Sequence, residues 1–133
     1  MSLTAKLLLT PVLVAQAMAT RARLPRLPEA AGEREGRVGR GPALRLLILG
    51  DSSAAGVGVA HQSQALAGYL PKALAKQAGV RVQWRLFAKS GLTSAQCLEH
   101  LESGAPFDAD VAVAVLGVND VVGCVVCMFM SPP

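Results

Sequence analysis

A chain of 133 residues leaves room for one domain at most, and at that size folding buries about two-thirds of the unfolded surface, enough for an ordinary core. The net charge is +4, and most of the excess comes from six arginines between Arg21 and Arg40 set against Glu29, Glu33 and Glu35. The rest of the chain is close to neutral, with no basic patch interleaved with aromatics, which argues against a nucleic-acid partner; the three cysteines do not make a disulfide framework.

Residues 1–24 read as a hydrophobic leader. Leu7 to Ala19 is apolar apart from Thr10 and Gln16, with Lys6 before it and Ala17-Met18-Ala19 at its end. That is the outline of a secretory signal with a small-residue cleavage site. As a helix it is about 20 Å long, too short to cross about 30 Å of hydrocarbon unaided. Arg21, Arg23 and Arg26 suit an anchor at an anionic surface instead. Membrane association or export is therefore the expectation, with an amphipathic helix packed on the body as the alternative. Residues 25–43, rich in Pro, Gly and alternating charge, read as a linker.

The folded body is expected from Leu44 to Asp120. Leu44–Leu49 is an apolar run broken only by Arg45, suited to a strand buried on both faces. Ser63–Gln77 spaces Leu66, Leu70, Ala73 and Leu74 at helical intervals and stops at Gly79. Val80–Phe87 alternates with a period of two, as a strand does. Thr93 or Ser94 can cap a helix through Leu101, ended by Gly104 and Pro106. Val111–Leu116 is a further apolar strand. Strands alternating with helices across short loops predict an α/β fold with a parallel sheet and right-handed crossovers. Residues 121–133 form an atypical apolar tail that leaves such a sheet looking incomplete at its C-terminal side. Cys124 and Cys127 within it have Cys-x-x-Cys spacing without a second ligand pair, so the spacing reads as accidental.

In a parallel sheet, ligands bind beyond the carboxyl ends of the strands. Three loops leave those ends: Gly50-Asp51-Ser52-Ser53, the stretch around Ser90 and Gly91, and Gly117-Val118-Asn119-Asp120. Acyl transfer needs a nucleophile at such a position and donors aimed at the developing oxyanion. Ser52 can supply the hydroxyl. Its own backbone N–H, that of Gly91 and the side-chain amide of Asn119 can supply three donors. Asp51 and Asp120 suit loop-ordering acceptors. No cofactor or metal motif accompanies them.

These blocks, spanning Leu44 to about Val121, resemble the SGNH hydrolases, or GDSL esterase/lipase family. The family's Gly-Asp-Ser-Leu block stands here as Gly50-Asp51-Ser52-Ser53, its second-block glycine as Gly91, and its Gly-x-Asn-Asp block as Gly117 to Asp120. The resemblance implies a flavodoxin-like three-layer fold and hydrolysis of small-molecule or lipid esters through an acyl-serine. It assigns Ser52 as nucleophile and Ser52, Gly91 and Asn119 as the oxyanion hole.

The chain departs from the family in its base. The family takes it from a later Asp-x-x-His block, whereas the only histidines here, His61 and His100, both precede Asn119, with Gly58 and Cys97 three residues before them. Without a base a serine is a weak nucleophile, so the chain is expected to be an impaired hydrolase, or a non-catalytic truncated relic. A nucleotide-binding protein is the remaining alternative: Gly56-Val57-Gly58 follows the first strand, but His61 stands where the third glycine of a dinucleotide fingerprint belongs.

Overall fold

The computed structural model describes residues 3–104 and 108–121; the predicted apolar tail beyond Val121, with Cys124 and Cys127, lies outside them. Helix α1 runs Leu3–Arg23 with Pro11 inside it. Leu9, Val12, Leu13 and Met18 along it are exposed. Among the described residues no helix is long and apolar enough to cross a membrane.

The body is a four-stranded sheet in the order β1-β3-β2-β4. Its strands are β1 (Glu35–Val38), β2 (Ala43–Gly50), β3 (Arg81–Ala88) and β4 (Val111–Val115). β2 pairs in parallel with both β3 and β4, and only β1 runs antiparallel, against β3. Helix α2 (Leu66–Ala78) joins β2 to β3, and α3 (Ser94–Ser103) joins β3 to β4. The expected α/β fold forms.

Alternation along β2 separates two cores, because successive side chains of a strand point to opposite faces. Leu46 and Ile48, essentially without solvent exposure, join Ala67 and Ala75 of α2 and Val82 and Leu86 of β3. Leu49 packs instead with Leu92 and Cys97 of the α3 side, backed by Leu47 and Phe87. A helix therefore covers each face of the sheet. Gly79 closes α2 in the left-handed conformation at φ 64°, and Thr93 and Gln96 form a reciprocal capping box that starts α3.

The main departure from expectation is residues 25–43, which are built into the domain rather than forming a linker. Ala30 is buried, its N–H donates to Ala55 O at 3.2 Å, and the buried Gln62 amide donates back to the Ala30 and Ala55 carbonyls. Glu35–Val38 adds the edge strand β1, where Gly36 lies opposite Trp84 so closely that a Cβ would stand 3.0 Å from the indole nitrogen. The alternating charges that suggested a solvated linker are paired: Arg34 with Glu29 inside the stretch at 2.6 Å, and Glu35 with Arg85, far along the chain, at 3.0 Å. A charged edge is also how sheets discourage pairing with other chains.

The start of β4 is tied down by Asp110, whose carboxylate takes the Arg45 guanidinium at 2.8 and 3.2 Å and the Arg45 backbone N–H at 2.8 Å. Those bonds hold Asp110 down at about 2. A depressed carboxylate stabilises fully above its ordinary value of 3.8, and that contribution disappears as pH falls through about 2. The pair is exposed, so the effect is small. Asp110→Asn is expected to flatten the acid side of a thermal-midpoint-versus-pH curve in that window and nowhere else. A parallel decline in both proteins would contradict it.

Candidate active site

The strand register sets the site. Gly50 pairs with Ala88 on one side and with Val115 on the other, so β2, β3 and β4 end at one level. Lys89 N–H donates to Gly50 O and Asp51 N–H to Val115 O, each at 3.1 Å, which carries the alignment into the loops. Since α2 and α3 cover opposite faces, the neighbouring strands β2 and β3 send their outgoing loops to opposite sides. Open α/β sheets form their ligand crevice outside the carboxyl ends of the strands.

In the first loop Asp51 is 3% exposed. Its Oδ1 accepts the Ser53 N–H at 2.9 Å and its Oδ2 lies 3.5 Å from Asn119 Nδ2. The chain then turns tightly, Asp51 O accepting from Ala55 N–H and Ser52 O from Val57 N–H. This leaves Ser52 half-buried, its hydroxyl without a partner among the described residues.

The second loop is a turn closed by Leu92 N–H to Lys89 O at 3.1 Å. Gly91 occupies its third position at φ 84°, the sign a type II turn demands there and one that side chains oppose. Among the described residues, nothing beyond Gly91's own chain neighbours lies within 4 Å of where its Cβ would stand. The backbone here is open to close approach.

In the third loop Gly117, at φ 125°, bends the chain out of β4 into a helical turn over 118–121. Asn119 Nδ2 donates to Leu92 O at 3.1 Å, fixing the amide against the second loop. Asp120 accepts from both the N–H and the hydroxyl of Ser94, at 3.0 and 3.1 Å, which ties the third loop to the start of α3.

The three loops are thus laced in a ring, first to second, second to third and third to first. Ser52, Val57, Ser90 and Gly91 line one cleft of about 760 Å³ together with the stretch 24–29. Asn119 is not in its lining but adjoins it through Asp51 and Leu92. Neither histidine lines it. The His61 ring packs over Gly32 and caps the short 3₁₀ turn Gln62–Gln64, while His100 lies against Phe87 with ring centroids 5.8 Å apart.

The presence of residues 24–29 at this cleft was not readable in the sequence, and Glu29 is the instructive case. Its Oε1 accepts the Ser90 N–H and its Oε2 the Arg34 guanidinium, both at 2.6 Å, while Arg34 also donates to Ala88 O at 2.6 Å. Partial burial pushes the Glu29 carboxyl up, but the Ser90 and Arg34 bonds outweigh it, so it ends below the usual carboxylate range. A carboxylate five residues before an arginine in a charge-rich stretch gives no hint of a partner at position 90. Among the described residues, no cluster of His, Cys, Asp or Glu side chains is placed to hold a metal ion.

With this geometry in hand, comparison with known families decides the assignment. The GDSL-like Lipase/Acylhydrolase family model matches residues 48–128, well over half of the chain. The chain belongs to this family. No curated protein matches it. Membership in the GDSL hydrolases accounts for an α/β sheet whose loops after β2, β3 and β4 gather at one end. The nucleotide alternative, by contrast, requires a helix opening directly on the glycine-rich turn. In this GDSL-family chain α2 begins only at Leu66, so Gly56 and Gly58 lead into a 3₁₀ turn instead.

Proposed function

We propose that this chain is a serine ester hydrolase of the acyl-serine type, acting on small-molecule or lipid esters. In this reading the Ser52 hydroxyl attacks the ester carbonyl. The Ser52 and Gly91 N–H groups and Asn119 Nδ2 receive the oxyanion, and Asp51 and Asp120 order the loops that carry them. The observation that supports it most is that Ser52 and Gly91 share a single cleft at the carboxyl ends of β2 and β3. An amide group carries two donors: one Asn119 N–H stays on Leu92 O, and the other, on a long 3.5 Å contact to Asp51 Oδ2, is the one that would turn to the oxyanion.

The chain's own residues supply no imidazole at Ser52, since His61 and His100 are engaged elsewhere. Both acylation and deacylation draw on a base, so turnover is expected to be slow and the acyl-serine to persist. This favours a direct test over a turnover assay. Incubation with p-nitrophenyl acetate, with imidazole added as an external base, is expected to leave an acetyl group on Ser52, located by peptide mass spectrometry. Ser52→Ala should stay unlabelled at that peptide. Acetylation confined to lysines, with Ser52 untouched, overturns the proposal and favours the second reading, a non-catalytic member of the family.

A further inference from the structure

We propose that Glu29, held by Arg34, is a positioning residue that clamps the turn carrying Gly91 and so sets its amide over Ser52. The inference rests on the hydrolase reading above. The turn Lys89–Leu92 has only one internal bond, Leu92 N–H to Lys89 O, and its residues 89–91 are exposed. Its two ends are held from outside, Lys89 N–H by Gly50 O and Leu92 O by the Asn119 amide, which leaves the exposed middle, Ser90 and Gly91, free to shift unless something takes hold there. Glu29 does so at the position before Gly91, through the 2.6 Å bond from Ser90 N–H.

The carboxylate is itself held. Arg34 donates one nitrogen to Glu29 Oε2 and another to Ala88 O, the last residue of β3, each at 2.6 Å. The guanidinium therefore fixes Glu29 relative to the strand from which the turn springs. A planar fork suits this task because both bonds are set by one rigid group. Glu29 itself lines the cleft with Ser52 and Gly91, at the end of the stretch 24–29, so its pairing with Arg34 also anchors that part of the wall. An oxyanion donor works only when it is already in place as charge develops, and small misplacements of reacting geometry are costly in rate.

The test compares Glu29→Ala and Glu29→Gln with the unaltered chain, reading acetylation of Ser52 by p-nitrophenyl acetate at rising ester concentrations. Amide hydrogen exchange at Ser90 is followed in parallel. Glu29→Ala is expected to lower the saturating acylation rate about 10- to 100-fold, with little change in the half-saturating concentration. Glu29→Gln should recover most of it, since its carboxamide oxygen still accepts the Ser90 N–H. In the unaltered chain the Ser90 amide should exchange slowly despite the residue's exposure. Equal rates in all three proteins, equal losses in both variants, or unprotected exchange at Ser90 overturns the clamp. The exchange result stands even if a variant fails to fold. Absence of Ser52 acetylation in the unaltered chain sinks the hydrolase reading itself, and the clamp's role with it, which separates the two failures.

Discussion

Asn119→Ala is expected to slow acetylation of Ser52 by about 10²–10³-fold, the usual cost of one oxyanion donor. The side chain is half-buried, with Nδ2 3.1 Å from Leu92 O and 3.5 Å from Asp51 Oδ2. Truncation removes the second-to-third loop bond and leaves the buried Asp51 carboxylate without its nearest side-chain donor. A stability loss of about 1–3 kcal/mol is therefore expected alongside the rate loss. The two are separable: acetylation is measured well below the variant's thermal midpoint, where the folded fraction is full. A variant that acetylates Ser52 as fast as the parent would remove Asn119 from the oxyanion hole while leaving its structural bonds intact.

Gly50→Ala carries the largest expected effect on the fold. A Cβ there would stand 2.3 Å from Ala54 Cβ and 2.9 Å from Val115 O. Neither obstacle is the loose end of a flexible side chain: Ala54 is fully buried, and Val115 O accepts the Asp51 N–H. The added methyl must push either the serine loop or β4 away from the strand that pairs with both. Overpacking of this kind costs about 1–3 kcal/mol, and more where backbone must move. Denaturant unfolding should show a lowered midpoint, and Ser52 acetylation should fall with it, since the loop moved is the one that carries Ser52. An unchanged midpoint would mean that the first loop is looser than its hydrogen bonds indicate.

Glycine before the acid–serine pair therefore has a steric reason in this chain. The same cannot be said of Gly91, whose missing Cβ meets nothing. There it is the positive φ of the turn that demands glycine. The two glycines were visible together as parts of recurring blocks, but their different physical grounds were visible only in three dimensions.

The histidines show a similar division. Sequence order alone set His61 and His100 apart from the expected base, because both precede the third block. What each does instead depends on neighbours distant in the chain, Gly32 beneath one ring and Phe87 beside the other. Cys97 belongs with them: buried with Leu49 and Leu92, its thiol is pushed up by burial and behaves as a small core hydrophobe.

By itself the sequence determined the alternation of strands and helices from Leu44 onward, the two candidate caps of α3, Thr93 and Ser94, of which the structure uses Thr93, and the loops that bear Ser52, Gly91 and Asn119. These rest on side-chain period, helix-end chemistry and the backbone freedom of glycine, all expressed within a few residues of chain. Only the tertiary structure decided that residues 25–43 belong to the domain. It alone placed the pairs Glu35–Arg85 and Glu29–Ser90, separated by 50 and 61 residues. An ion pair or a carboxylate–amide bond across such distances leaves no periodic trace, and four residues of edge strand with a single apolar side chain, Val38, are too few to show a period. Local physics wrote the framework legibly; the contacts that hold the candidate site's wall and turn in place exist only once the chain has closed on itself.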